Sequence, residues 1–245
     1  MSDLYDRYRQ GAYQAVYDEL LAMQEHIYDP SISEEARLVM RETMRRVGFN
    51  LELLIARLQE MGYRFGEGFA ESPEEEAYWK QQAPIYQAPT PETPEHIARL
   101  ERLTGSLPLS LKCWYEEVGT VNLIGLFPSH KRADGPLLDP LFIYSVEMAV
   151  TMVNYYINAG VWHRDPTLSL APDHYHKYGF SGAGTYALRL PCKALDGPLL
   201  LERHHTTFVN YLRICLRWGG FPGLAAENRL SPGEMDFLTK DLLPF

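Results

Sequence analysis

At 245 residues, 46% of them apolar, the chain carries enough hydrophobic surface to bury a sizeable core without disulfides or a structural metal. A formal charge of −9 withholds the basic footprint that nucleic acid and anionic membrane surfaces require, so neither is expected as a partner, whereas a basic protein would suit. No stretch approaches the roughly 20 uninterrupted apolar residues of a membrane span, the first residues lack a signal-peptide pattern, and Cys113, Cys192 and Cys215 form no C-x-x-C pair, so a cytoplasmic protein with neither a disulfide framework nor a cysteine zinc site is expected.

Tyr5, Tyr8, Ala12, Val16, Leu20 and Ile27 recur at close to helical spacing, which predicts a helix over residues 3–28 ending at Asp29-Pro30. Ser31-Ile32-Ser33-Glu34 fits a capping box, and Leu38, Val39, Met44, Val47, Leu51, Leu54, Ile55 and Leu58 carry a second helix to a stop at Gly62. The two form a helical hairpin whose apolar stripe must pack on the rest of the chain, on a second copy as a homodimer, or on another protein. Tyr5, Tyr8, Tyr13 and Tyr17 crowd the first helix, and tyrosine suits both a core and an interface.

Residues 66–93 change character. Four prolines, the acidic run Glu71, Glu74, Glu75 and Glu76, and a short helical stretch around Glu75–Gln82 read as a connector, either a solvated linker or an acidic docking strip. Thr93-Pro94 then opens a helix running to Gly105, with the threonine as its cap. Residues 108–118 predict another helix, Val121–Phe127 a strand, and Ser145 the cap of a helix stopped at Gly160. Alternation around Tyr186, Leu188 and Leu190, with a turn at Asp196-Gly197, predicts a β-hairpin over 185–203. Thr207 begins a helix to Trp218, and Ser231-Pro232-Gly233-Glu234 is a capping box for the last helix. The sum is an α+β fold, a largely antiparallel sheet packed with helices, organised as a helical hairpin (1–65), an acidic proline-rich connector (66–93) and an α+β domain (94–245).

Gly179-Phe180-Ser181-Gly182-Ala183-Gly184 raises two sharper readings. A phosphate-binding loop needs a helix start after its glycines, and a nucleophile elbow around Ser181 needs a glycine at 183 and a following helix. A strand is predicted next, so the glycines are expected to bend the backbone into the sheet.

Four stretches, "HIARLERLTGSLPLSLKCWYEEVGTVNL" (96–123), "DPLFIYS" (139–145), "YGFSGAGTYALRL" (178–190) and "GPLLLERHHTTFVNYL" (197–212), resemble the SUKH superfamily over roughly residues 95–217, about half the chain. Glu101, Leu107-Pro108, Trp114-Tyr115, Gly119, Gly182, Gly184, Gly197-Pro198, His205 and Phe208 stand at matching places. Many members carry aspartate or asparagine in the glycine turn, where this chain reads Gly-Ala-Gly-Thr. None of the matched side chains is arranged to move a proton or attack a carbonyl. The resemblance implies a non-catalytic module that binds a protein partner, as an immunity protein against a basic toxin domain or as a regulator.

The residues expected to touch that partner are Glu116, Glu117, Tyr178, His204 and His205. Glu116 and Glu117, about 100° apart on a helix, do not suit an acid/base pair and read as helix surface. No cofactor is expected. The alternatives are a metal-dependent enzyme that gathers His163, His174, His176, His204 and His205 with Asp173, and a structural component assembled through the N-terminal hairpin.

Overall fold

The computed structural model describes residues 3–66, 84–163, 166–182, 184–226 and 230–245. The acidic run 71–76 and the helical stretch expected around 75–82 lie outside the described residues.

The first helix is broken in two. Helix α1 (Leu4–Arg9) ends where Gly11 and Ala12 N–H donate to the Tyr8 and Arg7 carbonyls, the bond pattern of a Schellman cap, and α2 (Tyr13–Ala22) resumes before a 3-10 turn over Gln24–Tyr28. The apolar spacing survives the break, because Tyr8, Val16, Tyr17, Leu20 and Ile27 are all buried. Helix α3 (Ser33–Glu60) follows, without the expected capping box. The Glu35 carboxylate reaches α1, where it accepts from the Leu4 N–H at 2.7 Å and satisfies one of that helix's free donors.

Strands β1 (Arg64–Phe65) and β2 (Tyr86–Gln87) precede helix α4 (Thr93–Thr104). Thr93 lies inside α4 rather than capping it, and its hydroxyl accepts from the Thr90 N–H (2.9 Å) to close the preceding turn. Pro108 leads into α5 (Leu109–Glu117), and Gly119 takes φ 93° beyond its end. A side chain at Gly119 would also strike Gln87 O at 2.2 Å, so only glycine lets β2 close on the next strand here.

The single strand expected over 121–127 is two. β3 (Thr120–Asn122) and β4 (Gly125–Leu126) are separated where the Asn122 side chain accepts from the Ile124 N–H, and each joins a different sheet. A short helix α6 (Gly135–Leu138), strand β5 (Phe142–Ile143) and helix α7 (Val146–Asn158), capped by Ser145 as expected, come next. Strands β6 (Thr167–Pro172), β7 (Thr185–Arg189) and β8 (Leu199–Leu200) lead to α8 (Phe208–Arg217) and α9 (Pro232–Thr239), the last with the Ser231–Glu234 capping box formed.

The fold is α+β, with three short antiparallel sheets among the described residues in place of one: β1-β4, β2-β3-β5 and β6-β7-β8. The hairpin expected over 185–203 is β7 paired with β8, in register Leu188↔Leu199. Tyr144 N–H donates to Leu170 O (2.8 Å) and ties the second sheet to the third.

One buried cluster runs from Leu4 to Leu238. Trp114, fully buried in it, stands edge-on to Phe208 with ring centroids 5.6 Å apart. The stripe of α3 that a homodimer would use (Val39, Met44, Val47, Leu51, Leu54, Leu58) is buried within the chain, where α3 contacts α1, α5, α8 and α9. Each leucine so buried contributes about 1.5–3 kcal/mol, enough to make the N-terminal helices part of the same folding unit. No helix among the described residues is long and apolar enough to cross a membrane.

Candidate functional site

Two loops meet at the ends of the β6-β7-β8 sheet: residues 173–184, which join β6 to β7, and residues 201–207, which join β8 to α8. Asp173 organises the first. Its carboxylate accepts from the backbone N–H of Tyr175 (2.8 Å), His176 (2.9 Å) and Gly184 (2.9 Å) and pairs with His176 Nδ1 (2.9 Å). Burial opposes its charge, but the His176 and Gly184 donors outweigh burial and hold the carboxyl below its ordinary value. Gly182 gives Asp173 its room, since a Cβ there would lie 2.1 Å from Oδ2. Gly184, at φ 147°, leads directly into β7, and a Cβ on it would reach Leu201 Cδ1 at 3.0 Å. The glycines thus bend the chain into a strand, and the helix start that a phosphate loop or a nucleophile elbow at Ser181 requires is a strand here.

Beneath the loops lies a buried ion pair. Lys177 Nζ sits 2.6 Å from Asp139 Oδ1 with both side chains fully buried, and the Tyr186 hydroxyl donates to Asp139 Oδ2 at 2.9 Å. Burial, reinforced by Asp139, drives the Tyr186 hydroxyl far above the ordinary tyrosine value and keeps it a donor. His174 packs on Tyr175 with centroids 4.3 Å apart, and burial lowers its pKa toward the neutral ring. In the second loop, buried Glu202 accepts from the backbone N–H of His204 (2.8 Å) and pairs with its Nδ1. Asp139, Leu201 and His205 all adopt left-handed backbone, at φ 51°, 61° and 51°. Such conformations persist in non-glycine residues only where the surroundings over-determine them.

The expected partner residues separate. His204 and His205 stand on this rim, the first partly covered and the second exposed. Tyr178 does not: it is fully buried, its hydroxyl donates to Gly125 O (2.9 Å), and a partner has no access to it. Glu116 and Glu117 lie elsewhere, bound to an arginine ladder on α3. Arg37 donates to both Glu116 oxygens at 3.0 Å, while Arg41 and Arg45 share Glu117. These carboxylates, 22% and 11% exposed, clamp α5 to α3 instead of facing outward. His163 follows α7 and is exposed, His174 and His176 keep the neighbours described above, and no group of three or more metal-ligating side chains among the described residues is arranged to hold an ion.

Beside the exposed His176 and His205, the rim presents three large apolar side chains outward. Leu201 (62% exposed), Tyr175 (46%) and Phe180 (38%) project from loops whose buried charges are committed to one another. A hollow between Gln87, Thr90, Tyr115 and Glu147 measures about 20 Å³, room for one water molecule and no substrate.

Asp139, Lys177, Glu202, Tyr175, Phe180 and Leu201 escape a reading of the sequence as site residues. Asp173 carries a legible signal, an aspartate placed to bond backbone two and three residues on, as in an Asx turn. No family model, curated protein or solved structure matches the chain.

Proposed function

We propose that the chain is a non-catalytic binding module of SUKH type, acting as an immunity protein or regulator that contacts another protein through the 174–180 and 201–205 rim. The observation that carries this reading is the exposure of Leu201, Tyr175 and Phe180 on two loops that share the buried Asp139, which pairs with Lys177 of the first at 2.6 Å and lies 4.0 Å from Arg203 Nε of the second. Aromatic and aliphatic anchors on a rigid base are what an interface centre needs, because little conformational freedom is lost on docking. His204 and His205 flank these anchors as polar contacts.

The residues matching the superfamily act as scaffold, which supports the assignment. Glu101 accepts from the Leu107 N–H (3.2 Å) and from Lys112 Nζ (3.1 Å), joining α4 to the leucine-proline start of α5. Phe208 N–H donates to Gly197 O (3.1 Å), holding α8 to the hairpin. A cytoplasmic setting and a basic toxin domain as partner accord with the net charge of −9, since complementary charge speeds encounter and sharpens specificity. The test is co-expression with any toxin encoded beside the gene in the native host. Wild type should co-purify with that toxin and a Tyr175→Ala, Leu201→Asp variant should not; equal recovery of the two, or recovery of neither, counts against the proposal.

A further inference from the structure

Beyond α9 the chain doubles back. Lys240 leaves the helix in an extended conformation, Asp241 takes φ 57°, and the segment to Phe245 lies against α3 and α8. Asn50, fully buried in the middle of α3, gives both ends of its amide to one residue of this segment: Nδ2 donates to Leu243 O (2.9 Å) and Oδ1 accepts from Leu243 N–H (2.7 Å). Arg46 Nη1 donates to Pro244 O (3.1 Å), and Arg213 Nε donates to Phe245 O (2.9 Å). Arg57 holds the entrance, donating to the carbonyls of Leu238 and Lys240.

Each of these bonds reaches the backbone of the segment. The side chains of Asp241, Leu243 and Pro244 face outward, and those of Leu242 and Phe245 are half-buried. Asn50 therefore acts as a neighbouring strand would, matching one residue's N–H and C=O as a pair, and such recognition tolerates many sequences. Arg213, whose guanidinium stacks 4.5 Å from the Tyr17 ring centroid and 5.8 Å from that of Phe245, favours an aromatic at position 245. A buried amide and a half-buried guanidinium with no backbone to bind would be left poorly satisfied, so the groove calls for an occupant.

We propose that this groove between α2, α3 and α8 is a binding site for an extended peptide, read through its backbone, and that residues 241–245 are its resident occupant, displaceable by an extended apolar segment of a partner protein that carries an aromatic where Phe245 lies. It is distinct from the loop rim and stands without it. In the intact chain the tail competes from the same molecule at an effective concentration on the order of millimolar, which masks the site.

The test loosens the tail in the full-length chain and leaves the groove untouched. Leu243→Pro removes the N–H that Asn50 accepts. A fluorescent peptide with the sequence of residues 240–245, Lys-Asp-Leu-Leu-Pro-Phe, should bind this variant at least about tenfold more tightly than wild type, and adding Asn50→Ala should remove the gain. Equal affinity for wild type and Leu243→Pro, or full affinity in the double variant, overturns the proposal. Should either variant fail to fold, wild type titrated with millimolar peptide should show a second, free-tail amide resonance for Leu243; its absence at saturation likewise overturns the proposal.

Discussion

Tyr17 and Asp196 are 179 positions apart in sequence, and the tyrosine hydroxyl donates to the buried carboxylate at 2.8 Å. Asp196 also accepts from Ser110 Oγ (2.7 Å) and from the Gly197 and Val209 N–H groups (2.9 Å each), so α2, α5, the hairpin turn and α8 converge on one side chain. Burial raises its pKa, against the pull of these donors. Tyr17→Phe keeps the packing and deletes one donor. Unfolding in urea should show a loss of about 1–3 kcal/mol, and an unchanged midpoint would mean that this contact contributes nothing to joining the N-terminal helices to the hairpin.

The Asp139–Lys177 pair has a different energetic signature, because both ions are out of water. Lys177→Met leaves Asp139 with the more distant Arg203, 4.0 Å away, as its countercharge and should cost about 3–5 kcal/mol. Adding Asp139→Asn should recover part of that loss. A double variant as unstable as Lys177→Met alone would show that the lysine acts through packing and not through its charge.

Asp173 sets an acid limit on the rim. Its folded-state pKa is depressed, so the folded chain binds fewer protons than the unfolded one as pH falls. Its contribution is complete above the unfolded value, near 3.9, and is lost as pH drops through the folded value. The stability gap between wild type and Asp173→Asn should therefore be widest near pH 7 and shrink below about pH 4. A gap that does not change between pH 7 and pH 3 would contradict this.

The arginine ladder on α3 lies at the surface and should respond to salt. Glu117→Gln releases Arg41 and Arg45 and should cost about 1 kcal/mol at low ionic strength. In 1 M salt, where the screening length falls to about 3 Å, the melting temperatures of wild type and variant should draw together.

Much of the fold is legible in the sequence where a local signal has a local cause. Ser145 and Ser231 cap as their spacing predicts, Pro108 starts a helix, and the glycines at 182 and 184 bend into a strand. The break at Gly11 is hidden because a Schellman turn keeps Tyr8 and Val16 on the buried side. The box at Ser31 does not form because α3 starts at Ser33, which leaves Ile32 at the capping position with no side chain able to accept, while Glu35 meets the Leu4 N–H of α1, a tertiary contact no local pattern records. The site is less legible for the same reason. Glu116 and Glu117 read as helix surface until Arg37, Arg41 and Arg45, one turn apart on a distant helix, are laid against them, and no local pattern pairs Lys177 with Asp139, 38 positions away.

The proposed binding surface is the apolar rim. Calorimetric titration of the partner recovered by co-expression against Leu201→Asp measures it most directly, with Glu117→Gln as a control away from the rim. Leu201→Asp should weaken binding by about 30-fold or more, the loss typical of an interface hot spot, while the control binds as wild type does. Undiminished affinity in Leu201→Asp, with its fold intact by circular dichroism, would contradict it.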